Sequence, residues 1–466
     1  MEKFIYEDSP FGETLKTIKE DIKGTEWENH VFLVGGAVRD CLLGGKMKDI
    51  DLCVDLEEGG IKFAEWLCKK HLSYSSNSNP CVFSKYGTAK LNLRDIDAIS
   101  KIDIECVQTR KEQYHEGSRN PDTQFGTLEE DATRRDLTIN ALYVNLSNDS
   151  ILDPTKNGLK DLKEKVIRTP SNPNIVFGDD PLRMLRVIRF ATKYGWGIEE
   201  GTWIGIVGNT KKISIISQER ITDELGKILI TDKPSEGVKR LRYSGLLERV
   251  LPEVYMLIGC EQGVHHVGDV FEHTMLAIDN TNNTLLGRWA SLLHDIGKPS
   301  KRTVNNTGVH FYDHDKYGAL LARDILRKLK FSNSDTDKIC LAVKSHMKFK
   351  PWKDECPSDK SIRKFISEVG MENIDLILDV IEGDNKSHSE AYCAPHQVEK
   401  IRERIRSKEE VKEVKLPVNG KDIMERFNMK SSPKVGELLD KIKEFFLDNP
   451  NVTKEECLDK IEKILP

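Results

Sequence analysis

The chain has 466 residues, 38% of them hydrophobic and 32% charged, with a formal net charge of -5. That supports several cored domains and excludes a uniformly basic nucleic-acid binder, so any nucleic-acid contact must come from local patches. No apolar run approaches the ~20 residues of a membrane span, and the ten cysteines form no CxxC pair, which predicts reduced thiols in a cytoplasmic protein with no membrane partner.

Residues 1–30 predict a helix in their middle and then a polar loop. Residues 31–54, VFLVGGAVRDCLLGGKMKDIDLCV, read as strand, Gly-Gly turn, helix and second strand. Gly35 and Gly36 before a helix start let a phosphate approach free backbone N–H groups. Asp49 and Asp51, two apart on a strand, present both carboxylates on one face, the arrangement a Mg²⁺ site for phosphoryl chemistry needs. A helix is expected at IKFAEWLCKKH, a polar loop at 73–80, and strands at CVFSKYGTAKLNL and KIDIECVQ. Glu105, on the polar face of the last, could join the aspartates as a third carboxylate. Residues 110–132 are polar and Gly/Pro-punctuated and predict a mobile loop. Arg134 and Arg135 can serve a triphosphate, with Asp136 and Asn140 one helical turn apart. A helix starting near Gly178-Asp179-Asp180-Pro181 carries Arg183, Arg186 and Arg189 at every third position, and Asp180 and Arg183 can project side by side as acceptor and donor. Two amphipathic helices follow at 217–230 and 234–250. Then His273, His294-Asp295, His314, His346 and Asp384 cluster on helical segments, a donor set suited to transition metals rather than calcium.

The stretches GGAVRDCLLGGKMKDIDL, RRDLTINAL, DPTKNGLKDL and DDPLRMLRVIRF occur in the order found in the class II, bacterial-type tRNA nucleotidyltransferase and poly(A) polymerase family, the CCA-adding enzymes, which the chain resembles over residues 30–200. The HTM, LLHDIGK and later His and Asp segments resemble an HD-superfamily metal domain over 265–390. The resemblance implies an α+β protein: a nucleotidyltransferase α/β head (1–145), an elongated all-α neck (146–250), an HD domain (251–390) and a helical tail (391–466). It implies that Asp49 and Asp51 hold Mg²⁺, with Glu105 as the third carboxylate. Gly35, Gly36, Arg39 and Arg135 would face the triphosphate, and Asp136 and Asn140 the ribose. Asp180 and Arg183 would select the base, and Arg186 and Arg189 would complete the pocket. Asp179 stands where the family commonly has Glu, which keeps the charge and shortens the reach.

The expected reaction is two-metal phosphoryl transfer that adds C, C and A to tRNA 3′ ends from CTP and ATP, with no obligate protein partner. ATP and CTP both offer a ring-nitrogen acceptor beside an amino donor, which Arg183 and Asp180 can match, whereas GTP and UTP set donor against donor. The alternatives are an A-adding enzyme or poly(A) polymerase on the same fold, and an HD phosphohydrolase with an inactive head. The HD segment predicts a phosphohydrolase that uses Ni²⁺, Mn²⁺ or Co²⁺, with His273, His294, Asp295 and Asp384 as ligands and His314 and His346 completing a second position.

Overall fold

The computed structural model describes residues 4, 9–71, 80–94, 101–113, 122–263, 266–349, 355–407 and 416–465. These form two compact units, one comprising 1–228 and 236–250, the other 229–235 and 251–466. The polar loop expected at 73–80 lies almost wholly outside the described residues.

The first unit is built on a seven-stranded sheet. Its strands are β1 (Val31–Val34), β2 (Ile50–Val54), β3 (Cys81–Phe83), β4 (Thr88–Arg94), β5 (Lys101–Gln108), β8 (Tyr143–Asn145) and β9 (Ile151–Leu152), and β6 (Arg110–Gln113) and β7 (Asp122–Phe125) form a separate hairpin. The spatial order is β3-β4-β5-β2-β1-β8-β9, antiparallel except for the parallel pair β2 and β5. VFLV is continuous rather than alternating because β1 is covered on both faces, and all four residues are buried. Beneath the sheet, helices Gly12–Ile22 and Gly59–Lys70 bury Leu15, Ile18, Ile22, Phe63 and Leu67. Complete burial of Phe63 contributes roughly 2–3 kcal/mol. The second helix comes so close to the sheet that a Cβ on Gly60 would lie 2.5 Å from the Gly87 carbonyl oxygen. On the other face Phe32, Val34 and Cys53 pack with Ala132, Ala141 and Tyr143.

That second face depends on a segment expected to be a mobile loop. Of residues 110–132, those described form the β6–β7 hairpin and helix Leu128–Thr133; residues 114–121 lie outside the described residues. The order has a local cause. Thr127 and Glu130 form a reciprocal capping box, and Ala132 and Leu128 anchor the helix against that second face.

Helix Leu182–Tyr194 buries Leu182, Leu185, Ile188, Met184, Val187 and Ala191, so only one flank, with Arg186 and Arg189, is left for polar work. Gly195, at φ 67, ends it as a left-handed cap. Its start differs from expectation: Gly178 and Asp179 belong to a preceding helix, Pro173–Asp179, and Asp180-Pro181 is the junction. Helices Glu200–Asn209, Gln218–Leu229 and Pro234–Ser244 follow.

In the second unit, helices Val270–Asn280, Leu285–Leu293, His314–Lys328, Asn333–Ser345 and Ile374–Asn385 pack around buried Trp289, whose ring meets Phe331 edge-on at 5.4 Å. A short hairpin, Thr303–Asn305 with Gly308–His310, precedes the third of these. The last helices, Gly420–Arg426, Pro433–Asp448 and Lys454–Glu462, have a core of their own around Val435, Leu438, Ile442 and Ile461. They are tethered by Arg363, which donates two hydrogen bonds (2.9 and 2.7 Å) to the Leu447 carbonyl. No described helix is long and apolar enough to cross a membrane.

Candidate functional site

Strand register brings the head carboxylates together. Asp51 and Glu105 are direct partners across the parallel pair β2–β5, so both project from one face, and Asp49 stands just before β2. Burial, then Asp49, then Glu105 push the Asp51 carboxyl up to about 6, opposed by Arg135. A crowded set of hard oxygen donors fits a divalent cation. Asp51 and Glu105 wall two adjoining cavities of about 530 and 320 Å³, the first also lined by Arg110, Arg134 and Arg135 and the second by Asp49. Gly35 borders this space at φ 69. A Cβ there would stand 3.6 Å from Asp51 Oδ2 and 3.8 Å from Arg135 Nη1. The helix after it, Gly36–Leu42, is seven residues long.

Arginines surround the carboxylates, each held by a named partner. Fully buried Asp131 pairs with Arg134 (2.5 Å) and Arg135 (2.9 Å) and accepts from the Tyr143 hydroxyl (2.6 Å). Burial alone would raise its carboxyl, but the two arginines outweigh it and hold it well below the usual range. Arg39 donates to Asn140 Oδ1 (2.5 Å), and its guanidinium lies 4.9 Å from the Phe190 ring centre. Asn140 in turn donates to Asp136 Oδ1 (3.0 Å), and Asp136 Oδ2 pairs with Arg186 (2.6 Å). Asp136 and Asn140 therefore meet as expected, but across a bend and a short 3₁₀ turn, Thr138–Asn140, rather than on an α-helix. For Asp136 too, burial pushes upward. Arg186, Asn140 and Arg183 prevail and hold the carboxyl at about 2.

The Arg183 amide donates to the Asp180 carbonyl (3.0 Å), but the two side chains do not engage each other. Asp180 accepts from the Leu182 amide (3.1 Å) and pairs with Arg220 (2.7 Å), while buried Arg183 donates to the Val176 carbonyl (3.3 Å). The preceding helix explains this, because it brings the Val176 carbonyl to Arg183, and the helix carrying Arg220 brings a cation to Asp180. Arg189 pairs with Glu224 (2.6 Å), which also lies 3.7 Å from Arg186. Glu224 and Arg220 were not legible as site residues. The signal for Glu224 was a carboxylate on the apolar flank of its helix, beside Ile221, Leu225 and Ile228.

In the second unit the histidines converge. His273, His294 and Asp384 form one group and Asp295, His314 and His346 another, with candidate ligand atoms in each within 4.8 Å of one another. Asp295 joins them: Oδ2 is 3.2 Å from His294 Nε2, and Oδ1 is 3.3 Å from His314 Nε2 and 3.6 Å from His346 Nε2. Every one of these rings turns Nδ1 to a backbone carbonyl: His273 to Ser387 (3.2 Å), His294 to Ser291 (2.7 Å), His314 to Phe311 (2.7 Å) and His346 to Val343 (2.6 Å). That fixes Nδ1–H as donor and points the Nε2 lone pair inward, the orientation a ligating imidazole requires. Lys298 pairs with Asp295 Oδ2 (2.7 Å). Two further histidines, His266 and His388, lie beside the group with ring centres 4.7 Å apart. Burial, then Lys298, push His266 down to about 2.

Three stretches of the chain match known families. Residues 31–168 match the poly A polymerase head domain, 195–257 the "Probable RNA and SrmB-binding site of polymerase A", and 311–461 domain 2 of tRNA nucleotidyltransferases. The chain is 38% identical over 232 residues to the mitochondrial CCA tRNA nucleotidyltransferase of Candida glabrata, a match that takes in 46% of this chain and 42% of that one. It is 31% identical over 331 residues to the A-adding tRNA nucleotidyltransferase of Deinococcus radiodurans, spanning 67% of this chain and 74% of the relative. The crystal structure of the Bacillus stearothermophilus CCA-adding enzyme in complex with CTP shares the fold over 98% of this chain and 97% of that one, with a TM-score of 0.70 at 24% identity.

Proposed function

The chain belongs to the tRNA nucleotidyltransferase and poly(A) polymerase family, and from that premise we propose that it adds C, C and A to tRNA 3′ ends from CTP and ATP. The observation that carries the proposal is the carboxylate face: Asp51 and Glu105 in register, with Asp49 beside them and Arg135 at their edge. Asp49, Asp51 and Glu105 would hold Mg²⁺, which when bound supplies charge for the triphosphate and acidifies the attacking 3′-hydroxyl. Gly35 leaves room for the phosphates beside Asp51, and Arg135 and Arg39 supply cations to them. Asp136, held ionised, and Asn140 set the position of Arg39 and offer polar atoms to the ribose. For base selection, Arg183 donates to the ring nitrogen and Asp180 accepts from the amino group that C and A share. An incoming nucleotide thus replaces the Val176 carbonyl and Arg220 as their partners. GTP and UTP would leave both groups facing their own kind, a mismatch of unsatisfied buried polar groups.

The likeness to an A-adding enzyme favours one second reading, A addition alone, since the same residues would serve it. Sequencing the 3′ ends made on tRNA lacking its last three nucleotides, with CTP, ATP or both, separates the two: C incorporation is expected, and its absence would leave A addition.

The histidine cluster is a second, separate site. His273, His294 and Asp384, with Asp295, His314 and His346, would hold Ni²⁺, Mn²⁺ or Co²⁺, the metals this mixed donor set suits. Its proposed reaction is phosphoester hydrolysis: water's oxygen bonds to phosphorus, the P–O ester bond breaks and a proton goes to the leaving oxygen. Acting on a 2′,3′-cyclic or 3′-phosphate at an RNA end, it would restore the hydroxyl that the head extends.

A further inference from the structure

A cavity of about 380 Å³ opens above the histidine cluster. Asp295, His346 and Asp384 lie in its wall and are nearly fully buried, whereas Tyr312, also in the wall, is 66% exposed. The space falls within the range of small-molecule sites, roughly 300–1,000 Å³, and is far larger than a bare phosphate needs.

The rim is organised. The Tyr312 ring stacks on His310 with centres 5.4 Å apart and planes inclined by 12°. His310 cannot swing freely, because its Nε2 is tied to Thr307 Oγ1 (2.8 Å) and Asn305 Oδ1 (3.1 Å) within the hairpin. One face of Tyr312 is therefore backed by a fixed ring and the other is open. Asp313 follows in the left-handed region at φ 55, and the reversal lets Tyr312 stand at the rim while His314, two residues on, joins the buried cluster. Deeper in, His266 lines the cavity with a buried Nδ1 that has no hydrogen-bond partner among the described residues.

We propose that Tyr312, backed by His310, is a base-stacking platform, and that the second site takes a nucleotide carrying a terminal phosphate, free or at an RNA end. The proposal rests on the reading of the histidine cluster as a phosphoester site. An aromatic plane at the mouth and phosphoester chemistry at the base are the two ends of a nucleotide, and stacking accepts any base because each has a π-face. A substrate such as glycerol 2-phosphate reaches the base of the cavity without using the platform.

The test uses the full chain with Mn²⁺, comparing wild type, Tyr312→Ala and Tyr312→Phe. Hydrolysis of 3′-AMP to adenosine and phosphate should lose about tenfold or more in kcat/KM in Tyr312→Ala, as removal of a stacking ring does elsewhere. Tyr312→Phe and all rates on glycerol 2-phosphate should stay near wild type. Equal loss on both substrates, or no loss, would overturn the platform while leaving the hydrolase reading intact. If wild type hydrolyses neither, the hydrolase reading fails, and equilibrium titration with 3′-AMP decides the platform. Any head contribution is common to all three proteins, so weaker binding by Tyr312→Ala alone supports the platform and equal binding rejects it. A higher kcat/KM on a short RNA ending in a 3′-phosphate than on 3′-AMP would identify the RNA end as the source of the nucleotide.

Discussion

Asp136→Asn is the sharpest test of the charge network behind the head. The change keeps the side chain's shape but removes its charge and turns one acceptor oxygen into a donor; in wild type the carboxylate is held by Arg186 at 2.6 Å and by the Asn140 amide at 3.0 Å. A carboxyl at about 2 in the folded chain and near 3.8 unfolded contributes about 2.5 kcal/mol of stability at neutral pH. The folded value is the depressed one, so the contribution is full above the unfolded pKa and disappears as pH falls toward 2. By pH 3 it should have fallen by roughly 1 kcal/mol. Urea denaturation of the two proteins at several pH values, followed through the transition of the head-containing unit, measures this. The difference should be largest at pH 7 and narrow steadily below pH 4. A gap independent of pH would refute the reasoning, because Asp136 would then stabilise through shape rather than charge. Nucleotide addition should fall in the same variant, since the single amide oxygen left at position 136 must serve Asn140, the Leu137 amide and Arg186 at once, which loosens the hold of Asn140 on Arg39.

Asp51→Ala should abolish nucleotide addition with little change in thermal midpoint; near-wild-type incorporation with Mg²⁺ would remove Asp51 from the metal site. Arg183→Ala should admit GTP or UTP at rates closer to those of ATP and CTP, whereas Arg135→Ala should weaken all nucleotides alike; single-nucleotide incorporation assays distinguish the patterns. Asp295→Ala should lose metal-dependent hydrolysis of a 2′,3′-cyclic phosphate and bind less Ni²⁺ or Mn²⁺ by elemental analysis, while CTP and ATP incorporation continues; retained hydrolysis would reject the second site.

What the sequence made legible was local. VFLV, the Gly-Gly turn, the alternation in KIDIECVQ and the apolar stripe of LRMLRVIRFATKY each carry their period in neighbouring residues, and each forms the expected element. The side-by-side placement of Asp51 and Glu105 could be suspected from their strands, but only pairing in register makes them partners. Errors arose where a distant partner decides the outcome. Asp180 is bound by Arg220, forty positions on, and Arg183 by a carbonyl of a helix whose end looked like a beginning. The helix at Leu128–Thr133 had its capping box in plain view, yet the polar composition around it masked two apolar anchors. His266 and His388 gave only weak signals, because neither sits at a spacing that by itself marks a ligand.

The closing helices have consequences for how the chain tolerates change. Their core around Ile442 and Ile461 forms within the segment, which is joined to helix Asp359–Val369 by Arg363 through the Leu447 carbonyl and by the Lys360–Asp448 ion pair (2.7 Å). Such a piece can open and reclose without disturbing the histidine helices, so its amides should exchange with solvent on their own schedule. A backbone carbonyl is present whatever residue occupies position 447, so the hydrogen bond survives substitution there, whereas the packing of the buried Leu447 side chain does not. Substitutions on this segment's exposed outer face should therefore leave the histidine-bearing helices unaffected.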